Sequence, residues 1–175
     1  MGFVRIKQFI SAITSKLTSA DKEFISKYLN KQEQNLFYQM DLPTQKHCLN
    51  TAYTCLELIN GNPELDKKIL LKSALLHDCG KKAGELKTWH RVVIVLTNKL
   101  CPNLNRYFQR KGRYMEKGTL TRAFYVQSIH SKRGANFADQ LNINDAVVQL
   151  IKHHHSRYCI NKMELQILQQ ADSLN

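Results

Sequence analysis

Apolar residues recur every three or four positions along most of this sequence, a spacing that places them on one face of an α-helix. The segment after Pro63 illustrates the pattern, with Leu65, Ile69, Leu70 and Ala74 in helical register. The 175 residues include only seven Gly and three Pro, so long helices meet few breaks. No convincing alternation of apolar and polar residues marks a strand. The sequence therefore predicts an all-α fold, a single compact bundle of about seven to nine helices.

Capping residues indicate where several helices begin and end. Thr18 and Asp21 have the spacing of a capping box, so we expect a helix to begin there. Thr44 is expected to cap the N-terminus of another helix. Gly80 is expected to end the helix that follows Pro63, because glycine favours the backbone conformation found after a helix.

The stretch from Cys101 to Thr119 is rich in Arg and Lys and is predicted to be irregular, since it contains Pro102 and two glycines. It fits either a lid that meets phosphate groups or a solvated loop. Separate helices are expected after it, at residues 120–129 and 132–141.

The sequence divides into a helical extension at residues 1–43, expected to pack on the core, and a main domain at residues 44–175. The N-terminal segment is cationic and has apolar side chains at helical spacing. We expect this amphipathic face to pack on the domain in preference to a membrane surface. No run approaches the ~18 apolar residues of a membrane span, so no membrane partner is expected.

Net charge and cysteine usage indicate which ligands and which cellular location to expect. The formal net charge is +12, from 26 Lys and Arg against 14 Asp and Glu. Such a field concentrates anions, which suits a nucleotide or a nucleic acid without choosing between them. The five cysteines include no C-x-x-C pair, so neither a disulfide framework nor a thiolate zinc site is indicated. This cysteine usage favours a cytoplasmic location.

Several His and Asp residues stand within or directly after apolar helical patterns. His77 and Asp78 follow the run Ala74-Leu75-Leu76, where polar groups without partners would be costly to bury. The same placement holds for His47, His154, His155 and Asp172. One such His is more often a hydrogen-bonded core residue, but a bound metal explains the whole set. Imidazole and carboxylate groups together suit Fe, Mn, Zn, Co or Ni better than Ca.

The order of these residues resembles that of the HD-domain phosphohydrolases, a family of metal-dependent enzymes. The resemblance rests on His47, His77-Asp78, His130, His154-His155 and Asp172. The run Leu75 to Lys81 is similar to the HDIG variant of the family motif, with Cys79 in the usually aliphatic position. The resemblance covers residues 44–175 and implies a helical bundle of the HD-domain type.

The resemblance also implies a site for one or two divalent transition metal ions, Fe or Mn first, with Zn, Co or Ni as alternatives. One ion would be bound by His47, His77, Asp78 and Asp172. Asp78 would bridge to a second ion, bound by His130 and by one or both of His154 and His155. His153 is expected to be a neighbour and not a ligand. His90 has no counterpart in the family motif, so we expect a structural or surface role for it.

By the same resemblance, Asp78 and Lys81 are the catalytic residues, and Lys81 would contact the attacking water or a substrate phosphate. Arg133 and Arg157 are further candidates for binding substrate, because the guanidinium fork matches phosphate oxygens. The substrate is expected to be a small phosphorylated molecule, most simply a nucleotide.

The predicted reaction is hydrolysis of a phosphoester or phosphoanhydride of a nucleotide-like substrate by a metal-activated water. Cyclic-di-GMP phosphodiesterases of this family carry a Gly-Tyr-Pro motif where this chain has Ser156-Arg157-Tyr158. The sequence therefore does not favour that class of enzyme. Two alternatives stay open, a basic nucleic-acid-binding module with a structural metal and a di-iron oxygenase of the HD superfamily. Lys81 directly after Gly80 resembles the hydrolytic branch.

Overall fold

The computed structural model of the chain describes residues 16–59, 65–156 and 162–175, which contain nine α-helices and no β-strand. The all-α prediction is confirmed. None of these helices is long and apolar enough to cross a membrane. In chain order the helices are α1 (Ser19–Tyr28), α2 (Lys31–Tyr38), α3 (Leu42–Ile59), α4 (Lys67–Leu76), α5 (Thr88–Leu100), α6 (Pro102–Gly112), α7 (Leu120–Gln140), α8 (Asp145–His153) and α9 (Met163–Leu174).

Helix α4 lies at the centre of the bundle. Leu70, Leu75 and Leu76 are fully buried although they point to different sides of the helix. A helix with buried leucines on several sides requires protein around it, and α1, α2, α3, α8 and α9 pack against α4. His77 and Asp78 come directly after its last turn, so they lie inside the molecule.

A second, smaller apolar cluster holds α5 and α6 against α7. Ile94 of α5 and Phe108 of α6 belong to this cluster with Phe124 of α7. The rings of Phe108 and Phe124 are 5.2 Å apart between centroids, a distance typical of favourable aromatic pairs. Helix α7 therefore joins the small cluster at its first half to the main core at its second half, where Ala135 and Ala138 are buried.

Two buried ion pairs tie α1 and α2 to the rest of the bundle. Asp21 forms the predicted capping box with Thr18 and also accepts a hydrogen bond from Lys46 Nζ at 2.7 Å. Glu33 closes the capping box of α2 and pairs with Lys72 Nζ at 2.5 Å. Each carboxylate thus satisfies backbone amides at a helix start and neutralises a lysine from the core helices.

The prediction that Thr44 caps α3 is wrong. The helix begins at Leu42, and the Asp41 carboxylate accepts hydrogen bonds from the Thr44 amide at 2.9 Å and the Thr44 hydroxyl at 2.6 Å. Asp41 is the stronger cap because Arg91 donates to both of its oxygens and holds the carboxylate in place. Residues 42 and 43 therefore belong to the first turn of α3, while the division into an extension and a main domain stays a prediction.

The basic stretch is also more regular than the sequence suggested. Pro102 begins α6, where its missing amide hydrogen costs nothing, and Gly112 ends it against the Thr121 backbone. The two helices expected at residues 120–129 and 132–141 form one continuous helix, α7. It stays unbroken because its two halves pack on two different apolar clusters, which together bury most of one side.

Two expectations fall outside the described residues. They are the packing of the amphipathic segment at residues 1–15 and the substrate contact of Arg157.

Gly80 lies four residues beyond the end of α4, in the turn that carries the site residues, and does not end the helix as predicted. A Cβ atom built on it would stand 2.0 Å from His130 O and 2.9 Å from Gly134 N. Only glycine fits, because the backbone of α7 lies directly against this turn. The contact brings His130 of α7 next to Asp78.

Replacing Gly80 with Ala is expected to lower the free energy of unfolding by about 1–3 kcal/mol, since the methyl group forces α7 away from the turn. The measurement is chemical denaturation followed by circular dichroism. Ala83→Ser, exposed and three residues farther along the connection between α4 and α5, is the control and should change stability by less than about 0.5 kcal/mol. Equal stability of Gly80→Ala and the wild type would contradict the close contact.

Candidate metal centre

Three helices bring together a first cluster of side chains. His47 comes from α3, His77 from the end of α4 and Asp172 from α9, and their ligand atoms lie within 4.8 Å of one another. His47 Nε2 is 2.9 Å from Asp172 Oδ1 and 3.3 Å from His77 Nε2. His77 Nε2 is 3.5 Å from the same Asp172 oxygen. These three residues, far apart in the sequence, form one half of a candidate metal centre.

A second cluster consists of His130 from α7 and of His154 and His155, which follow α8. His130 Nε2 and His154 Nε2 are 3.2 Å apart. His155 is the exposed member, and its Nδ1 lies 3.9 Å from Asp172 Oδ2, so the two clusters adjoin. His153 belongs to neither cluster.

Asp78 stands between the two clusters. Its Oδ2 lies 3.8 Å from His77 Nε2 and 4.0 Å from His47 Nε2, on the side of the first cluster. Its Oδ1 lies 3.1 Å from His130 Nε2 and 3.9 Å from His154 Nε2, on the side of the second. One buried carboxylate thus presents one oxygen to each group of imidazoles.

Backbone contacts determine which imidazole nitrogens face the centre. Nδ1 of His77 lies 2.8 Å from Ala74 O, and Nδ1 of His130 lies 2.7 Å from Gln127 O. Nδ1 of His154 lies 2.7 Å from Ile151 O. A carbonyl oxygen only accepts hydrogen bonds, so these Nδ1 atoms carry protons and Nε2 is the nitrogen that faces the centre, as a lone pair wherever the ring is neutral. Metal-binding imidazoles are commonly held in this way.

The second cluster is poorly satisfied by protein atoms alone. The lone pairs of His130 Nε2 and His154 Nε2 face each other at 3.2 Å, an arrangement that is repulsive without a cation between them. Asp78 Oδ1 is buried and accepts no hydrogen bond from the described residues. An orphaned carboxylate oxygen beside imidazole lone pairs fits a divalent transition metal ion, because all of these atoms are donors to such ions.

Burial keeps the second cluster uncharged at neutral pH. Burial and the nearby ammonium of Lys81 lower the pKa of His130 to about 4. Burial likewise lowers the pKa of His154, helped by the neighbouring imidazoles, and partial burial lowers that of His155. A metal ion requires the unprotonated ring, so these three side chains are ready to bind one without first losing a proton.

The first cluster has the opposite electrostatics and favours positive charge. Burial alone would lower the pKa of His77, but the neighbouring Cys48 sulfur and the carboxylates of Asp78 and Asp172 outweigh it and hold that pKa well above its ordinary value. Burial opposes ionisation of Asp172, yet hydrogen bonds from His47 and His77 keep its pKa well below the usual range. A pocket that stabilises a proton on a buried imidazole also attracts a metal cation.

Lys81 contacts the central carboxylate directly. Its Nζ donates to Asp78 Oδ2 at 2.7 Å, and both groups are buried. Burial opposes ionisation of Asp78, but Lys81 and the nearby imidazoles hold the pKa of this carboxyl well below its usual value. Asp78 is therefore charged at neutral pH, as a metal ligand must be.

Arg133 lies outside both clusters. Its Nε donates to Gly80 O at 2.6 Å and its Nη1 to Glu85 Oε1 at 3.0 Å. The structure places this guanidinium on the turn that carries Lys81, so a substrate contact for Arg133 stays a prediction. Sequence reasoning missed Glu85, whose residue type gave no sign of a partner 48 positions away.

Two further residues with polar side-chain atoms are fully buried. Cys48, next to His47 on α3, is fully buried with its sulfur close to His77 and Asp78, and burial raises the pKa of its thiol. The sequence gave no signal for it beyond its place on the buried stripe. His90 is also fully buried, in α5, where its Nδ1 accepts a hydrogen bond from the Lys87 amide at 3.2 Å. It joins no ligand cluster in the part of the chain that the structure describes.

Comparison with known proteins agrees with this geometry. The family model described as "HD domain" matches residues 44–175, which is three quarters of the chain and includes every member of both clusters. Neither the curated proteins nor the solved structures gave a match. The chain belongs to the HD-domain family of metal-dependent phosphohydrolases.

Proposed function

We propose that the protein hydrolyses a phosphoester or phosphoanhydride of a nucleotide-like substrate at a centre that holds two metal ions. The observation that carries this proposal is the position of Asp78, with one oxygen facing each cluster. The first ion would be held by His47, His77 and Asp172, and the second by His130, His154 and His155, with Asp78 shared. The mixed nitrogen and oxygen donors favour Fe or Mn, with Zn, Co or Ni as alternatives.

Bound at such a centre, two cations lower the pKa of a water and neutralise the charge that builds up on phosphoryl oxygens. The protein's own contribution is to hold its ligand atoms in place and, at the second cluster, to keep the imidazoles unprotonated. The imidazoles of His77, His130 and His154 are fixed by backbone carbonyls, so their Nε2 atoms need no reorganisation.

Lys81 is the second proposed catalytic residue. Its ammonium is buried and donates to Asp78 Oδ2, an oxygen of the carboxylate that lies between the clusters. In that position it can donate a hydrogen bond to a phosphate oxygen or to the attacking water. The bonds of Arg133 to Gly80 O and Glu85 fix the turn that carries Lys81, and we propose that Arg133 acts by positioning this turn.

A nucleotide-like substrate is supported by charge. The chain carries a formal net charge of +12, and α6 adds a group of arginines and lysines without acidic partners among the described residues. A field of this sign concentrates phosphorylated molecules near the surface. Arg157 stays a predicted substrate contact.

Asp78→Asn keeps the size of the side chain and removes the shared negative ligand. We expect bound metal to fall below one ion per chain and turnover to drop on the order of a thousandfold. The assay is hydrolysis of bis-p-nitrophenyl phosphate and of a nucleotide panel with Mn²⁺ or Fe²⁺, together with elemental analysis. Asp139→Asn on the exposed side of α7 is the matched control. Full turnover in folded Asp78→Asn protein would refute the proposal.

The two clusters predict separable metal sites. The wild type should bind two ions per chain, while His47→Ala and His130→Ala should each retain one, because each removes a ligand from a single cluster. His153→Ala is the control and should retain both ions. The measurement is metal content after reconstitution and dialysis. One ion in the wild type, lost equally in both cluster variants, would show a mononuclear centre.

The pH dependence of the second site follows from its lowered pKa values. In His47→Ala protein, affinity for Mn²⁺ should stay constant from about pH 7.5 to 5.5 and weaken toward pH 4, where protons compete for the imidazoles. The affinity persists below pH 6.5, the ordinary pKa of histidine, because the lowered pKa keeps these rings neutral there. Calorimetric titration across this range is the measurement. An affinity loss centred near pH 6.5 would contradict the predicted burial effect.

A further inference from the structure

Helix α5 exposes an apolar face. Trp89, Val92, Leu96 and Leu100 are 52%, 53%, 50% and 72% exposed, and their spacing of three and four places them along one side of the helix. The opposite side is also apolar, and it buries Ile94 in the cluster on α7. A helix at the surface of a monomer normally presents polar residues outward, so this α5 outer face indicates an interaction site.

Helix α6 extends the same surface. Leu104 and Tyr107 are about half exposed, while Phe108 packs on Phe124 of α7 beside Ile94 of α5. Both helices therefore rest on α7 with one side and present the other side away from it. The α5–α6 hairpin forms one outward surface, partly apolar and partly charged.

This hairpin carries a strongly positive charge. Residues 87–118 contain eight Lys and Arg and a single acidic residue, Glu116, for a net charge of +7. Within this range only Arg91 forms an ion pair with the described part of the chain, to Asp41. The unpaired cations concentrate on α6 and just after it, namely Arg106, Arg110, Lys111 and Arg113.

The combination of aliphatic side chains and unpaired cations indicates which kind of partner this surface binds. Nucleic acid offers phosphates but has no apolar surface to cover Val92, Leu96 and Leu100. A second copy of the chain offers an apolar face but brings the same charge of +7 against its own. The surface of an anionic lipid bilayer supplies both negative charge and an apolar layer beneath the headgroups.

We propose that the α5–α6 hairpin docks on anionic lipid membranes. The α5 outer face inserts to the level of the headgroups, and the basic side chains of α6 contact the lipid phosphates. Trp89 and Tyr107 stand on this surface, and Trp and Tyr favour the boundary between water and hydrocarbon. This proposal revises the expectation of no membrane partner, which rested on the absence of a membrane-spanning run. It is independent of the proposed hydrolytic activity.

Trp89 provides a direct test, because it is the only tryptophan of the chain. The full-length protein is mixed with vesicles of phosphatidylcholine alone or of phosphatidylcholine with phosphatidylglycerol. We expect a blue shift of Trp89 fluorescence and co-sedimentation with the anionic vesicles only, both weakened by added salt.

Matched variants separate the apolar and charged contributions. Two double variants test these contributions, Leu96→Ser/Leu100→Ser for the apolar face and Arg106→Gln/Arg110→Gln for the charge. Each should weaken vesicle binding by about tenfold or more. The controls change exposed residues elsewhere, namely Met163→Ser for the apolar variant and Lys22→Gln/Lys31→Gln for the charge variant. Both controls should leave vesicle binding unchanged. All of these positions are exposed, so circular dichroism should show folded protein in each case.

Several results would overturn the proposal. One is the absence of a blue shift and of co-sedimentation with anionic vesicles. Binding to duplex RNA without binding to vesicles would assign the basic surface to nucleic acid. A third is a wild-type dimer that does not bind vesicles and that becomes a monomer in the Leu96→Ser/Leu100→Ser variant. This result would assign the face to a second copy of the chain. Blue-shifted Trp89 emission in vesicle-free buffer would show that the face is already covered.

Discussion

The structure is organised around one buried negative charge. The Asp78 carboxylate is held inside the bundle, where an unpaired charge would be strongly destabilising. Lys81 satisfies one of its oxygens, while the other faces the lone pairs of His130 and His154 and has no donor among the described residues. The protein therefore keeps a site whose polar groups are only fully satisfied by a cation. This requirement explains why so many buried imidazoles surround a single carboxylate.

The surrounding framework keeps that arrangement rigid. Each of His77, His130 and His154 bonds through Nδ1 to a carbonyl three residues earlier in its own helix or turn, so the ring orientation follows the backbone. Gly80 lets α7 lie against the turn after α4, which sets the distance between Asp78 and His130. The clusters consequently depend on helix packing and not on flexible side chains alone.

Apolar periodicity was sufficient to predict the all-α fold, and the capping box at Thr18 and Asp21 was read correctly. The errors arose where tertiary contacts decide the local structure. Arg91, distant in sequence, fixes Asp41 as the cap of α3 in place of Thr44, and two packing clusters keep α7 continuous. The His and Asp residues of the site stand out in the sequence, but periodicity alone does not reveal that they converge. Their order, through the family resemblance, supplied that expectation.

The same limit applies to the α5 outer face. A sequence pattern shows that Trp89, Val92 and Leu96 share one side of a helix, but the pattern is identical whether that side faces the core or a partner. Only the packing of Ile94 against α7 shows that the apolar stripe is left outside. Helix α7 carries the hairpin on its first half and His130 on its second. A surface bound by the hairpin would therefore stand in a fixed relation to the metal centre, since one continuous helix connects them.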